Sequence, residues 1–213
     1  MVVIELFGMN GAGKTTTILE LEKQCEIELP VASIENFSYL MRNGRKALNV
    51  LVVIFHDLPF AIRLLAMMWR KHGWTWDTPA TWFNICHRGY FYLFGKKRRI
   101  VLADGILHKV WGTYGLVSIT ERDRKEIFLI LDHFNCKGGY YLDVSKEVIL
   151  KRNTNRGRNT FLERRLNELD FLYENFYSFI EVVDNHVKIS AVQEKSLKGR
   201  VKFLLDNCQE LKS

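Results

Sequence analysis

A chain of 213 residues with 47% of them in the AVILMFWYC set is long enough for one domain and too apolar to be disordered. Its 3 prolines and 14 glycines exclude a collagen-like or low-complexity chain. The 31 Lys and Arg residues against 24 Asp and Glu leave a net charge of +7, which calls for an anionic partner, either a nucleic acid or a small phosphorylated ligand.

Four cysteines, at 25, 86, 136 and 208, form no C-x-x-C pair and no zinc spacing with histidine. They read as reduced thiols of a cytoplasmic protein. No basic stretch precedes the first apolar run, so no signal peptide is expected.

In chain order, VVIELF (2–7) is an apolar run ending at Gly8 and reads as a buried strand. Glycines crowd 8–13, and a helix with Ile18, Leu21 and Cys25 on one side follows. Residues 34–98 carry four of the five tryptophans, show helical patterns and offer no clear strand. Their most apolar part, 47–69, has only 10 uncharged residues between Lys46 and Asp57, against the roughly 20 a spanning helix needs. It reads as a buried helix pair kinked near Pro59, with a membrane-surface or lipid-substrate face as the alternative.

RRIVLAD (98–104) is a second buried strand, ending at Asp104-Gly105. Thr120 with Asp123 starts a helix whose apolar side is Ile127, Ile130, Leu131 and Phe134. GYYLDV (139–144) is a third strand, after which Ser145 caps a short helix ending near Arg156-Gly157. Thr160-x-x-Glu163 is a capping box opening a helix that keeps its spacing to Val183. HVKIS (186–190) is the last strand, and Ser190-x-x-Gln193 caps a final helix with Leu197, Val201, Leu204, Cys208 and Leu211 on one face. Strands alternate with helices, so the fold class is α/β with a mainly parallel sheet. No repeat or linker divides the chain, which reads as a single domain, 1–213.

Gly8-Met9-Asn10-Gly11-Ala12-Gly13-Lys14-Thr15 fits G-x-x-x-x-G-K-[ST] at every required position, with a strand before it and a helix after it. The glycines let backbone N–H groups turn inward at phosphates, and the helix start adds its positive dipole. Lys14 reaches the β- and γ-phosphates, Thr15 offers a hydroxyl to Mg²⁺ and Thr16 reaches a phosphate oxygen. The bland alternative is a glycine turn with no ligand. Asp104, at the end of a buried strand, stands where such folds hold Mg²⁺, commonly through water; its alternative is a turn cap.

Lys151, Arg152, Arg156 and Arg158 form a basic loop interleaved with asparagines, suited to stabilising charge on a transferring phosphoryl group. A solvated basic loop is the alternative. Arg164 and Arg165 read as solvated. His56, His72, His87 and His108 have no metal or triad spacing, and His108, just past Asp104, reads as a surface side chain, with a substrate contact as the alternative. Phe37, Tyr39, Trp69, Trp74, Trp76, Trp82 and Phe83 read as core residues, with stacking on a base as the alternative.

GMNGAGKTT (8–16), YLDVSKEVILKRNTNRG (141–157) and VKISAVQEKSLKGRVKFLL (187–205) resemble the thymidylate kinase family of P-loop nucleoside-monophosphate kinases. The resemblance covers the first 25 residues and most of 98–213, and is weak over 34–97. It implies a P-loop NTPase fold with a sheet of the five-stranded type, a helical acceptor-binding region at about 34–98 and an arginine lid at about 151–159. It also implies ATP and Mg²⁺ as cofactors, transition-state arginines among Arg152, Arg156 and Arg158, a loop at Ser190 and Ala191 bordering the donor adenine, and Arg88 with Phe37 on the acceptor.

Two departures stand on the acceptor side. Asp104 is followed by Gly105 where the family has arginine, and Asn10 stands where the family has an acidic residue. The expected reaction is therefore transfer of the ATP γ-phosphoryl to a small anionic acceptor, a nucleotide other than plain thymidine monophosphate. The alternatives are a kinase for a nucleoside, sugar, glycan- or lipid-linked group, and a P-loop ATPase or switch without an acceptor. No nucleic-acid partner and no transmembrane segment are expected, and a homodimer is compatible.

Overall fold

In the computed structural model, residues 3–25, 39–95, 100–115, 117–155 and 169–207 are described. Strand β1 (Val3–Phe7) leads through the glycine loop into α1 (Lys14–Cys25). Three helices follow, α2 (Tyr39–His56), α3 (Leu58–His72) and α4 (Asp77–Phe94), before β2 (Ile100–Leu102). Next come α5 (Ile106–Tyr114), α6 (Glu121–His133), β3 (Gly138–Leu142), α7 (Lys146–Thr154), α8 (Leu169–Asp184), β4 (Lys188–Val192) and α9 (Leu197–Asn207).

The four strands described form one parallel sheet in the order β2-β1-β3-β4. Among the described residues four strands stand where the five-stranded type was expected. β1 is internal, and Ile4, Leu6, Phe7, Val101, Leu102 and Leu142 lie buried between the helical layers. A strand buried on both faces has no need of alternation, which is why these strands read as continuous apolar runs. The phosphate-loop motif therefore leaves the carboxyl end of an internal strand.

Helices α2, α3 and α4 form the body of the region between β1 and β2, with α2 and α3 packed on α4. A carboxylate cluster ties them to the sheet layer. Arg70 of α3 donates to Glu126 at 3.0 and 2.5 Å and to Asp123 at 2.8 Å, while Lys71 reaches Asp123 at 3.2 Å. Tyr114 of α5 donates to the same Glu126 at 3.0 Å. Thr120 and Asp123 form the expected capping box, and Ile127, Ile130, Leu131 and Phe134 are buried as their spacing requires.

Several expectations need correction. The break between α2 and α3 falls at Asp57, with a bend of 112°, and Pro59 sits in the first turn of α3, where its missing N–H costs nothing. The pair is buried on one side only: Val50, Val53, Phe60, Leu64, Met67 and Met68 face inward, while a second apolar side faces out. Among the described residues no single helix is long and apolar enough to cross a membrane.

Trp69, Trp74 and Trp76 are exposed instead of core, whereas Trp82 is half-buried and donates to the Ala61 carbonyl at 2.8 Å. The last strand runs on to Val192. Ser190 and Ala191 therefore lie inside β4, paired with Tyr140 and Tyr141 of β3, and not in a loop. The final helix is started by Ser196, whose hydroxyl accepts from the Gly199 N–H at 2.9 Å, and not by Ser190. Phe37, Arg156, Arg158, Arg164, Arg165 and the Thr160–Glu163 box lie outside the described residues.

Candidate phosphate-binding site

Gly8, Gly11 and Gly13 all adopt positive φ, at 149°, 93° and 100°. A side chain at Gly11 would also meet the Asn153 amide at 2.9 Å, so the loop's curl depends on bare backbone there. Ala12 N–H closes the turn on the Met9 carbonyl at 3.1 Å. Lys14 opens α1, is 8% exposed, and folds back to donate to the carbonyls of Gly8 at 2.9 Å and Met9 at 3.4 Å. Its ammonium is thus held at the centre of the loop. Thr15 and Thr16 are exposed at the helix start, where their hydroxyls are accessible to a ligand, while Thr17 turns inward and donates to the Gly13 carbonyl at 3.1 Å.

Helices α7 and α9 hold the loop through side chains. Arg152 donates to the carbonyls of Gly11 at 3.2 Å and Ala12 at 2.9 Å. Asn153 donates to the Asn10 carbonyl at 3.1 Å. Arg200, 5% exposed, donates to Ala12 at 3.1 Å and to Glu194 at 2.7 Å. These bonds engage the loop's carbonyls and none of its N–H groups. They also bring two guanidinium groups to the loop's edge; Arg152 lowers the proton affinity of Arg200, in addition to the effect of burial.

Sequence reasoning brought Arg152 to this place and missed Asn153 and Arg200. The signal for Arg200 was present: it stands three residues after Leu197 and four before Leu204, on the apolar face of α9.

On the opposite side of the loop, Asp104 follows the end of β2 with its side chain 40% exposed. His108, one turn along α5, places Nε2 3.2 Å from Asp104 Oδ1. His108 is not the surface residue expected: its side chain is 16% exposed and Nδ1 is buried without a partner. Burial, with the charge of Lys14 next in weight, pushes its pKa down to about 3, so it stays neutral.

Beneath them Glu5 of β1 is fully buried and accepts from Tyr92 at 2.6 Å, from Leu107 N–H at 2.9 Å and from His108 N–H at 2.7 Å. Its carboxylate caps α5 from another element. Burial raises its pKa in spite of these bonds. Gly105 is explained by this contact, because a Cβ there would lie 2.4 Å from Glu5 Oε2 and 2.8 Å from the Tyr92 hydroxyl. The space beside residue 105 is filled by a buried acid.

Arg88 of α4 is in the field of both Asp104 and Glu5, and burial lowers its pKa. Lys109 is lowered likewise by burial and feels Asp104, Arg88, Glu5 and Lys46. Arg88 and Lys109 thus both lie in the field of two carboxylates, Asp104 and Glu5, the latter with a raised pKa. Among the described residues no group of His, Cys, Asp and Glu forms a protein-only metal cage. The exposed Thr15 hydroxyl and the partly open Asp104 carboxylate fit a cation shared with phosphates instead.

A parallel sheet, a glycine loop at the end of an internal strand and an arginine of α7 on that loop match a P-loop kinase fold. No protein-family model matches the chain and no curated protein matches it. Two solved structures of deoxyadenosine kinase from M. mycoides are similar to it. One, with the products dCMP and a flexible dCDP bound, is 18% identical with a TM-score of 0.56 over 98% of this chain and 100% of that one. The other, with dATP bound, is 17% identical with a TM-score of 0.57 over 100% of both.

Proposed function

We propose that the chain is an ATP- and Mg²⁺-dependent phosphotransferase whose acceptor is a nucleotide-class molecule carrying its own negative charge. The observation that carries this reading is the held loop: Lys14 at its centre, on the carbonyls of Gly8 and Met9, with Arg152 on those of Gly11 and Ala12. Lys14 would release those carbonyls and turn to the β- and γ-phosphates. Thr15 and Asp104 would hold Mg²⁺, which supplies charge neutralisation at the transferring group. Arg152, with Arg156 and Arg158 as its proposed companions, would stabilise the equatorial oxygens. Ser190 and Ala191 stay proposed near the donor base through the segment that follows β4. Position and charge are the chain's contribution, and no covalent intermediate is needed.

The acceptor's charge is read from Arg88 and Lys109, both in the field of Asp104. This favours a nucleoside monophosphate. Gly105 removes the arginine that the thymidylate kinase resemblance calls for, so thymidine monophosphate is not the preferred substrate. A neutral nucleoside is the second reading, favoured by the likeness to structures of deoxyadenosine kinase.

The test is kcat/KM at fixed ATP and Mg²⁺ over nucleosides, their monophosphates and sugars, with Arg88→Met alongside. A monophosphate other than that of thymidine ranks first, and Arg88→Met raises the acceptor KM about 10- to 100-fold with the KM for ATP unchanged. Thymidine monophosphate ranking first, above about 10⁴ M⁻¹s⁻¹, overturns the acceptor assignment, and ATP hydrolysis with no transfer to any acceptor overturns the whole reading.

A further inference from the structure

Asp104 stands two residues before α5, where an aspartate ordinarily folds back onto the N–H groups of the first helical turn. In this chain another acid takes that role. Gly105 at the N-cap has no side chain to offer, and the N–H groups of Leu107 and His108 both donate to Glu5, at 2.9 and 2.7 Å. Glu5 comes from β1, is fully buried and is itself fixed by the Tyr92 hydroxyl at 2.6 Å. The first turn of α5 is thus capped from outside its own segment, and the Asp104 carboxylate is released from that task.

His108 joins the two acids. Its backbone N–H is on Glu5, and its ring Nε2 lies 3.2 Å from Asp104 Oδ1. A carboxylate only accepts, so Nε2 carries the proton of this bond. The ring is the inner member of the pair, 16% exposed against 40% for the carboxylate, and its Nδ1 is buried without a partner. A buried ring nitrogen with no partner costs stability that a leucine in the same place would not. What the imidazole does and a leucine cannot is hold Asp104. Arg88 and Lys109 lie in the field of Asp104, but the bond to its oxygen is made by His108.

We propose that His108 is a positioning residue for the divalent cation of this site: by holding Oδ1 it fixes the Asp104 carboxylate and leaves Oδ2 to the cation. The inference rests on the reading of Thr15 and Asp104 as the cation's holders, and does not depend on which acceptor the site takes. A free aspartate side chain samples several rotamers, and a bond to one of its oxygens removes that freedom before a ligand arrives. Glu5 acts one step further back, since it anchors the helical turn on which His108 stands.

Mn²⁺ is the probe. Its binding to the full chain, in the presence of a non-hydrolysable ATP analogue, is read by electron paramagnetic resonance for the wild type, His108→Leu, His108→Gln and Asp104→Asn. Leucine fills the space without a donor, whereas glutamine brings an amide N–H close to the place of Nε2. His108→Leu is expected to weaken Mn²⁺ binding about 10- to 100-fold, and His108→Gln to restore most of it. Binding of the analogue without metal should stay the same in both, and the thermal midpoint should not fall. His108→Leu that binds Mn²⁺ as the wild type does, while Asp104→Asn binds it weakly, overturns this inference alone. Asp104→Asn that binds Mn²⁺ as tightly as the wild type takes the cation away from Asp104 and overturns the underlying reading as well. Ring-nitrogen NMR of the wild type is the second measurement, independent of how His108→Leu folds: Nε2 of His108 is expected to carry the proton, and a proton on Nδ1 alone overturns the inference.

Discussion

Asn49 of α2 and His87 of α4 meet in the protein interior, with Asn49 Nδ2 3.4 Å from His87 Nδ1. Both are buried, and His87 Nε2 has no partner. Burial and the charges of Arg88, Lys46 and Lys109 hold its pKa down near about 3. The neutral ring is therefore a condition of folding. Below pH 6.5 the unfolded chain takes up a proton that the folded chain refuses, so stability falls as pH drops from about 6.5 toward 3, by up to about 1.4 kcal/mol per pH unit for this one group. Urea unfolding at pH 5, 6 and 7 should show that slope, and His87→Gln should reduce it by that amount. An unaltered slope in the variant would exclude His87 as its source.

Lys14→Ala should fold, because the bonds the ammonium makes to the Gly8 and Met9 carbonyls lie at the loop's mouth and not in the core. Turnover should fall by at least ~10²-fold, the scale of one charge removed from a transferring phosphoryl group. Near-normal turnover in folded Lys14→Ala would remove the loop from the mechanism.

Arg152 and Arg200 share the Ala12 carbonyl but differ in burial, and this separates their effects. Arg200 is buried, and Arg200→Met leaves the Glu194 carbonyl without this donor and the Ala12 carbonyl with Arg152 in its place. It should cost about 1–3 kcal/mol of stability, read as a lower denaturation midpoint. Arg152→Ala should leave that midpoint nearly unchanged and lower kcat more than it raises the KM for ATP. An Arg152 effect confined to KM would reduce its role to ground-state binding.

Gly105→Ala puts a methyl group against Glu5 and Tyr92, both fully or almost fully buried. Overpacking of this kind costs about 1–3 kcal/mol. Glu5→Gln keeps the volume, so the double variant should be no more stable than Gly105→Ala alone. If Gly105→Ala matches the wild type in thermal unfolding, the close approach of β1 to α5 is wrong.

What was legible in the sequence was local. The strand, loop and first helix were readable because eight consecutive residues, Gly8 to Thr15, carry both the motif and its context. The Thr120–Asp123 box was readable for the same reason. Arg152 was found because basic residues cluster along the chain around it. Glu5 gave no signal, since one acid in an apolar strand acquires meaning only when Tyr92, Gly105 and Leu107 are brought to it, from 87 to 102 residues away. Asn153 and His108 were missed likewise: their partners lie on other elements or depend on burial that spacing does not reveal. The outward side of α2 and α3 misled in the opposite sense, because an apolar side is equally apolar whether it meets the same chain or something else.

The register of the sheet sets an order of assembly. β1 is the first strand to be made, yet Val3 pairs with Ile100 and Phe7 with Tyr141. During synthesis Val3–Phe7 has no neighbour until about a hundred residues have followed it, and gains its second only after some forty more. Such non-local parallel pairing closes slowly and leaves a bare strand edge in the nascent chain. The loop that leaves β1 gains its outer bonds to the Ala12 carbonyl only after Arg152 and Arg200 have been made. Truncated products that end before α9 lack the Arg200 bond to the loop, and ribosome-bound fragments should be the species most prone to aggregate.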